Sequence, residues 1–249
     1  MAKETLTEVI AVAETESAIT KPKTSPLEWV AENGIFVFTG LLILASVVFV
    51  DGFASLVNIT DVFHRAAPIG IVAVGMTFVV ISGNYLDLSV VAQVATSAVI
   101  LIAVSNEYGL PLAMLAALLA AAVFGIVNGV AVGYFKANAV IVTLSTTYIG
   151  LGLLRYFSGG SIFFGPQDGL LREFGLGKLG PVPYSALVLL IMTIILGFLL
   201  NRTNFGFLVR SFGVNERATR LSGTNTAAVV IGAFLVTAVA AMVAGWVLA

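Results

Sequence analysis

Two stretches of this chain place polar side chains in a setting otherwise built of hydrocarbon. GNYLDLSVVAQ, at 83–93, sets Asn84, Asp87, Ser89 and Gln93 at the edge of an apolar run. NFGFLVRSFGVNERATRLSGTN, at 204–225, gathers Arg210, Glu216, Arg217 and Arg220 between two apolar segments. A carboxylate at the centre of a bilayer costs at least about 2.5 kcal/mol, so Asp87 is expected to face protein, water or a helix end. Two compatible roles stay open for it. It can cap the next helix, or it can form a polar wall beside a broken helix on a translocation path.

A third stretch, VIVTLSTTYIG at 140–150, carries Thr143, Ser145, Thr146 and Thr147. Such hydroxyls can bond the carbonyls of their own helix, or together offer neutral hydrogen bonds to a polyhydroxylated solute. Asn128, in GIVNGVAVG at 125–133, can bond across helices or line a polar cavity. Gly125, Gly129 and Gly133 recur every four residues around it, so they share one helix face and admit a neighbouring backbone closely.

The elements that must position these residues follow from composition. Apolar residues make up 59% of the 249 and charged residues 10%, where soluble domains run at about 45–50% and 25%. Only a lipid solvent accommodates that balance. Apolar runs fall at 35–50, 62–82, 88–104, 111–135, 140–154, 184–200 and 227–249. About 20 helical residues span a hydrocarbon core near 30 Å, and helices satisfy their own backbone there. The expected fold is all-α, a polytopic transmembrane bundle of about seven helices with broken or re-entrant segments. Residues 1–32 read as a polar tail, 33–249 as the membrane domain, and 159–182 as a loop rich in Gly and Pro.

Several chemistries are excluded at this level. The chain has no Cys, and His64 is its one histidine, which removes thiolate nucleophiles, Cys-ligated metals and histidine clusters. Gly177-Lys178 is not a phosphate loop: Arg172 stands where the first Gly belongs, and Leu179 where Ser or Thr does. The net charge of −1 argues against a nucleic-acid partner. No enzyme activity, cofactor or metal is expected. With the N-terminus in the cytoplasm, Lys3, Lys21, Lys23, Lys136, Arg202, Arg210, Arg217 and Arg220 fall inside, against Arg65, Arg155, Arg172 and Lys178 outside. That bias is the positive-inside pattern, and it makes 204–225 cytoplasmic. There Asn215 can cap a short helix ended by Gly223, with Glu216 and Arg220 paired at i,i+4. A small apolar patch with a charged rim fits either docking onto a protein or contact with anionic membrane lipid.

Phe205-Gly206, Gly213, Asn215-Glu216, Ala218, Arg220 and Leu221-Ser222-Gly223 resemble the cytoplasmic coupling region of ribose/xylose-type permeases. These are the inner-membrane subunits of bacterial ATP-binding cassette sugar importers, in the wider group with branched-chain amino acid permeases. LDLSV at 86–90 and NGVAVGYFKANAVIVTLST at 128–146 resemble the same family in the same order. The resemblance implies translocation of a monosaccharide or polyol. Its partners would be a cytoplasmic ATP-binding subunit, a periplasmic sugar-binding protein and a second permease subunit. Gly213, Asn215, Glu216, Ala218, Arg220, Ser222 and Gly223 would couple to the ATPase. Asn84, Asp87, Ser89, Asn128, Thr143, Ser145 and Thr146 would line the substrate pathway. Family members continue for several helices past Ala249, so a shortened or partial permease is expected. An ion-coupled secondary transporter and an accessory membrane subunit remain the alternatives.

Overall fold

A computed structural model of the chain describes residues 33–83, 85–161, 164–165 and 170–249. The expected tail at 1–32 and the pathway candidate Asn84 lie outside them. The chain divides into two compact units, one ending at Ser55 and one from Leu56 to Ala249. Helix α1, Gly34–Phe49, belongs to the first. It is apolar all round and has no buried residue. Its two hydroxyl side chains are handled locally: Thr39 and Ser46 donate to the carbonyls of Ile35 and Leu42, four residues back, at 2.7 and 2.8 Å.

The second unit contains α2 (Leu56–Ile81), α3 (Val90–Tyr108), α4 (Leu110–Gly133), α5 (Ala139–Ser158), α6 (Leu170–Leu176), the two-residue strands β1 (Lys178–Leu179) and β2 (Val182–Pro183), α7 (Tyr184–Arg202), α8 (Asn204–Val214), α9 (Glu216–Leu221) and α10 (Thr226–Leu248). Among the described residues six helices, α2, α3, α4, α5, α7 and α10, are long and apolar enough to cross a membrane; the seventh expected segment is the 16-residue α1. The protein is an all-α polytopic membrane bundle.

Two boundaries differ from expectation. α2 begins six residues before the apolar run, because its first turns carry Asn58, Thr60 and Asp61, polar groups that need not lie in hydrocarbon. The expected loop at 159–182 contains α6 and a hairpin. Leu171 buries itself against Leu101 and Ala113, which gives α6 a reason to form, and Lys178 and Leu179 pair with Pro183 and Val182.

α10 is the axis of this unit. Val230, Ala233, Phe234, Thr237, Ala238, Ala240, Ala241 and Ala244 are fully buried and form one broad face of the helix. It packs against α4, α2 and α3. The contacts are made by small residues, as expected where lipid tails are as apolar as the helices and close packing must drive association. Gly125, Gly129 and Gly133 of α4 lie against Leu235, Ile231 and Ala227 of α10. A Cβ on Gly129 would stand 2.7 Å from the Ile231 Cα. Polar stitches add to this packing: the Thr237 hydroxyl donates to the Gly75 carbonyl, and that of Ser97 to the Met242 carbonyl, each at 3.0 Å. Interhelical bonds of this kind average about 0.6 kcal/mol.

Gly129→Ala should therefore destabilise the bundle by about 1–3 kcal/mol, the scale of an overpacked core. Gly152→Ala on α5, where nothing lies within 4 Å of the new Cβ, should leave stability unchanged or raise it by up to about 1 kcal/mol. Thermal melting of the two purified variants checks this; equal melting temperatures would contradict the close approach.

Candidate functional site

One end of the bundle gathers the C-termini of α2, α4 and α7, the N-termini of α3, α5 and α10, and the segment α8–α9. Both groups of residues singled out in the sequence lie there.

The first is a buried polar network. α2 stops at Ile81, and an eight-residue link, 82–89, leads to α3. Within it Asp87 is 1% exposed, with no cation paired to it among the described residues. Its carboxylate accepts bonds from neutral donors: the Ser89 N–H at 2.9 Å, the Ser89 hydroxyl, and the Gln93 amide at 3.3 Å. The N-cap position of α3 belongs to Ser89 rather than Asp87, yet Asp87 takes up one of the N–H groups that a helix start leaves free.

Ser89 is the hub. Its hydroxyl donates to Asp87 and accepts from Gln93 Nε2 at 2.7 Å and Asn128 Nδ2 at 2.8 Å. One proton and two lone pairs are all a serine has, and all are used. Asn128, fully buried on α4, passes the chain onward by accepting from the Thr146 hydroxyl of α5 at 2.9 Å. The network thus joins the 82–89 link, α3, α4 and α5. The side-chain oxygen of Gln93, Oε1, is buried without a partner among the described residues.

The α5 hydroxyls divide by face. The Thr143 oxygen accepts from the Leu88 N–H at 3.1 Å and donates to the Ala139 carbonyl at 2.8 Å. Thr147 lies 3.0 Å from the Leu88 carbonyl. Two threonines one turn apart therefore hold the N–H and the carbonyl of Leu88 in the link. Ser145 is different. It is exposed on the far side of α5 and donates to its own Ile141 carbonyl at 2.8 Å. The structure brings Asp87, Ser89, Asn128, Thr143 and Thr146 together and leaves Ser145 apart. Gln93 and Thr147 belong to the network although neither was among the expected pathway residues; spacings of four from Ser89 and from Thr143 are the signal that marks them.

The second group is a helical step at the same end. Thr203 caps α8 by accepting from the Gly206 N–H at 3.2 Å. α8 buries Gly206, Val209 and Phe212, and Phe205 stacks on Phe78 of α2 at 6.1 Å between ring centres. Gly213 is pressed onto the C-terminus of α2, where any Cβ would collide with the Ile81 carbonyl oxygen. Asn215 is extended, with φ −157° and ψ 96°, and its side chain caps α9 by accepting from the Ala218 N–H at 2.9 Å. Gly223, at φ 84°, supplies the left-handed turn that follows. Asn225 then caps α10 through the Ala228 N–H at 3.1 Å.

α9 is thus fixed at both ends while its outer surface stays bare. Val214 is 88% and Leu221 80% exposed, with Arg217 and Ala218 exposed between them. Glu216 is shared by two cations, Arg220 on its own helix and Lys136 at 2.8 Å. The Lys136 ammonium, with Arg220 behind it, holds the Glu216 carboxyl below the usual carboxylate range. Arg210 instead donates to the Asn201 side chain at 2.9 Å. Lys136 was not among the expected site residues.

Among the described residues no cluster of His, Asp or Glu is placed to hold a metal ion. The arrangement can do two physical things: close one end of a helical bundle with neutral hydrogen bonds, and present a rigid, capped helix to a partner. The chain is 33% identical to the galactofuranose transporter permease of Escherichia coli, over 76% of this chain and 55% of that one. It is 33% identical to the L-arabinose transport system permease of the same organism, over 88% and 66% of the two chains. It is 30% identical to the ribose import permease of Haemophilus influenzae, over 84% and 66%. The chain thus spans between 55% and 66% of the length of these curated relatives. No solved structure matches it. The family described as "Branched-chain amino acid transport system / permease component" matches residues 58–249, from the first turn of α2 through α8, α9 and all of α10, and the chain belongs to that family.

Proposed function

We propose that the chain is the permease subunit of an ATP-binding cassette importer, translocating a monosaccharide or related polyol delivered by a periplasmic binding protein. The observation that carries this reading is α9, a capped helix with bare apolar residues and a charged rim at one end of the bundle. A hydrophobic centre ringed by polar groups is the composition of a protein docking surface. The ATP-binding subunit would sit there, on Gly213, Asn215, Glu216, Ala218, Arg220, Ser222 and Gly223. This end and residues 1–32 face the cytoplasm of a bacterial inner membrane in the proposal, consistent with the bias of Lys and Arg. ATP would be hydrolysed by the partner, and a second permease subunit would complete the path. The relatives named for galactofuranose, arabinose and ribose support a sugar as cargo.

Asp87, Ser89, Asn128, Thr143 and Thr146 are proposed to close the cytoplasmic end of the path. Their polar atoms are committed to one another or to nearby backbone, so contact with a sugar requires the ends of α3, α4 and α5 to part. Neutral donors suit a cargo that must also leave. Asn84 and Ser145 remain pathway candidates on sequence resemblance.

Leu221→Asp should weaken copurification of the ATP-binding subunit about tenfold, which is roughly 1.4 kcal/mol, with the melting temperature of the chain unchanged. Full assembly and wild-type sugar-stimulated ATP hydrolysis would reject α9 as the docking helix. Asn128→Ala leaves the Thr146 hydroxyl only the Thr143 carbonyl of its own helix and removes a donor from Ser89; it should cost about 1–3 kcal/mol of stability. Ser145→Ala should cost nothing measurable in a melt, and equal losses for the two would contradict the network.

A further inference from the structure

Lys136 is the one residue other than glycine, among those described, with a left-handed backbone, φ 56°. It lies in the turn between α4 and α5, where the Phe135 and Ala137 N–H groups reach back to the Val130 and Ala131 carbonyls at 3.2 and 3.0 Å. Glycine or asparagine normally fills such a position, because a Cβ crowds the following carbonyl. A lysine there keeps that strain, and its side chain shows the use. Nζ donates to Glu216 Oε1 at 2.8 Å and stands 5.7 Å from the ring centre of Phe212. One contact is on α9 and the other on α8.

Arg220 already supplies Glu216 with a cation from within α9. The Lys136 contact adds a crossing, from α9 to a turn 80 residues away in sequence. Asn138, two residues on, caps α5 through the Ile141 N–H at 3.2 Å. Thr143, Thr146 and Thr147 then hold the 82–89 link and Asn128. An unbroken line of contacts runs from the bare face of α9 into the buried network. The Lys136 and Glu216 side chains are 43% and 39% exposed, so this is a surface-type pair, weak enough to open and reform.

We propose that Lys136 is a positioning residue that latches α9 to the α4–α5 turn, so that force on α9 moves the ends of α4 and α5 with it. The permease reading enters only in what supplies the force.

The chain has no cysteine, so Ala137→Cys and Arg217→Cys can carry spin labels without background; both positions are exposed. In lipid bilayers, without any partner, the distance distribution between them should be narrow with Lys136 or Lys136→Arg and broad with Lys136→Gly. Lys136→Gly relieves the left-handed strain, so it should melt at or above the wild-type temperature, separating the latch from folding. With the ATP-binding subunit and a sugar-binding protein, sugar transported per ATP should fall about fivefold in Lys136→Gly and stay within about twofold in Lys136→Arg, the scale of one surface pair. An unchanged distribution in Lys136→Gly overturns the latch. A broadened distribution with unchanged sugar per ATP overturns the positioning role. A narrow wild-type distribution that Lys136→Gly broadens, in a chain that no ATP-binding partner drives, supports the latch and counts against the permease reading alone.

Discussion

The close approach of α10 to α4 is the constraint on which the rest of this bundle depends. With Gly125, Gly129 and Gly133 bare of side chains, the two backbones meet almost in contact. That contact sets the rotation of α4, and the rotation aims Asn128, the neighbour of Gly129, away from α10 and toward Ser89 and Thr146. A helix of leucines at this interface would stand farther off. The hydrogen bonds of Asn128 are short-range interactions that vanish within an ångström or so of displacement. Packing by absence of side chains thus supports a network made of their presence.

The polar network and the α8–α9 step share one end of the bundle, and in each side chains bond backbone groups that the helices leave free. Between α2 and α3, threonines of α5 bond the N–H and carbonyl of Leu88. Gly213 lets α8 rest on the last turn of α2, while Thr203, Asn215 and Asn225 cap three successive helices. The interior charge, Asp87, is met by neutral donors; the surface charge, Glu216, is met by cations. This division follows from solvent. Inside, a second charge would need its own desolvation. At the surface, water screens a pair that can therefore open at low cost.

Local patterns were legible in the sequence and distant contacts were not. The glycine spacing of 125, 129 and 133 and the caps Asn215 and Gly223 are statements about neighbours within a turn or two, and helical geometry makes them readable. The hydroxyls of 143–147 were readable as a group but not by face, although 100° per residue sets Ser145 opposite Thr143 and Thr147. α6 reads as loop in the sequence because its reason to fold, Leu171 against Leu101 and Ala113, lies outside its own seven residues. Lys136 carried no signal. Its left-handed backbone and its bond to Glu216 exist only once α4, α5 and α9 are brought to the same end.

In the proposed reading this chain is a mechanical half, moved by a partner that hydrolyses ATP. Uptake of radiolabelled sugar into proteoliposomes holding the chain, its ATP-binding subunit and a sugar-binding protein tests that most directly. The account predicts uptake that requires ATP on the α9 side and persists when a protonophore collapses the proton gradient. Uptake without ATP that the protonophore abolishes would contradict it.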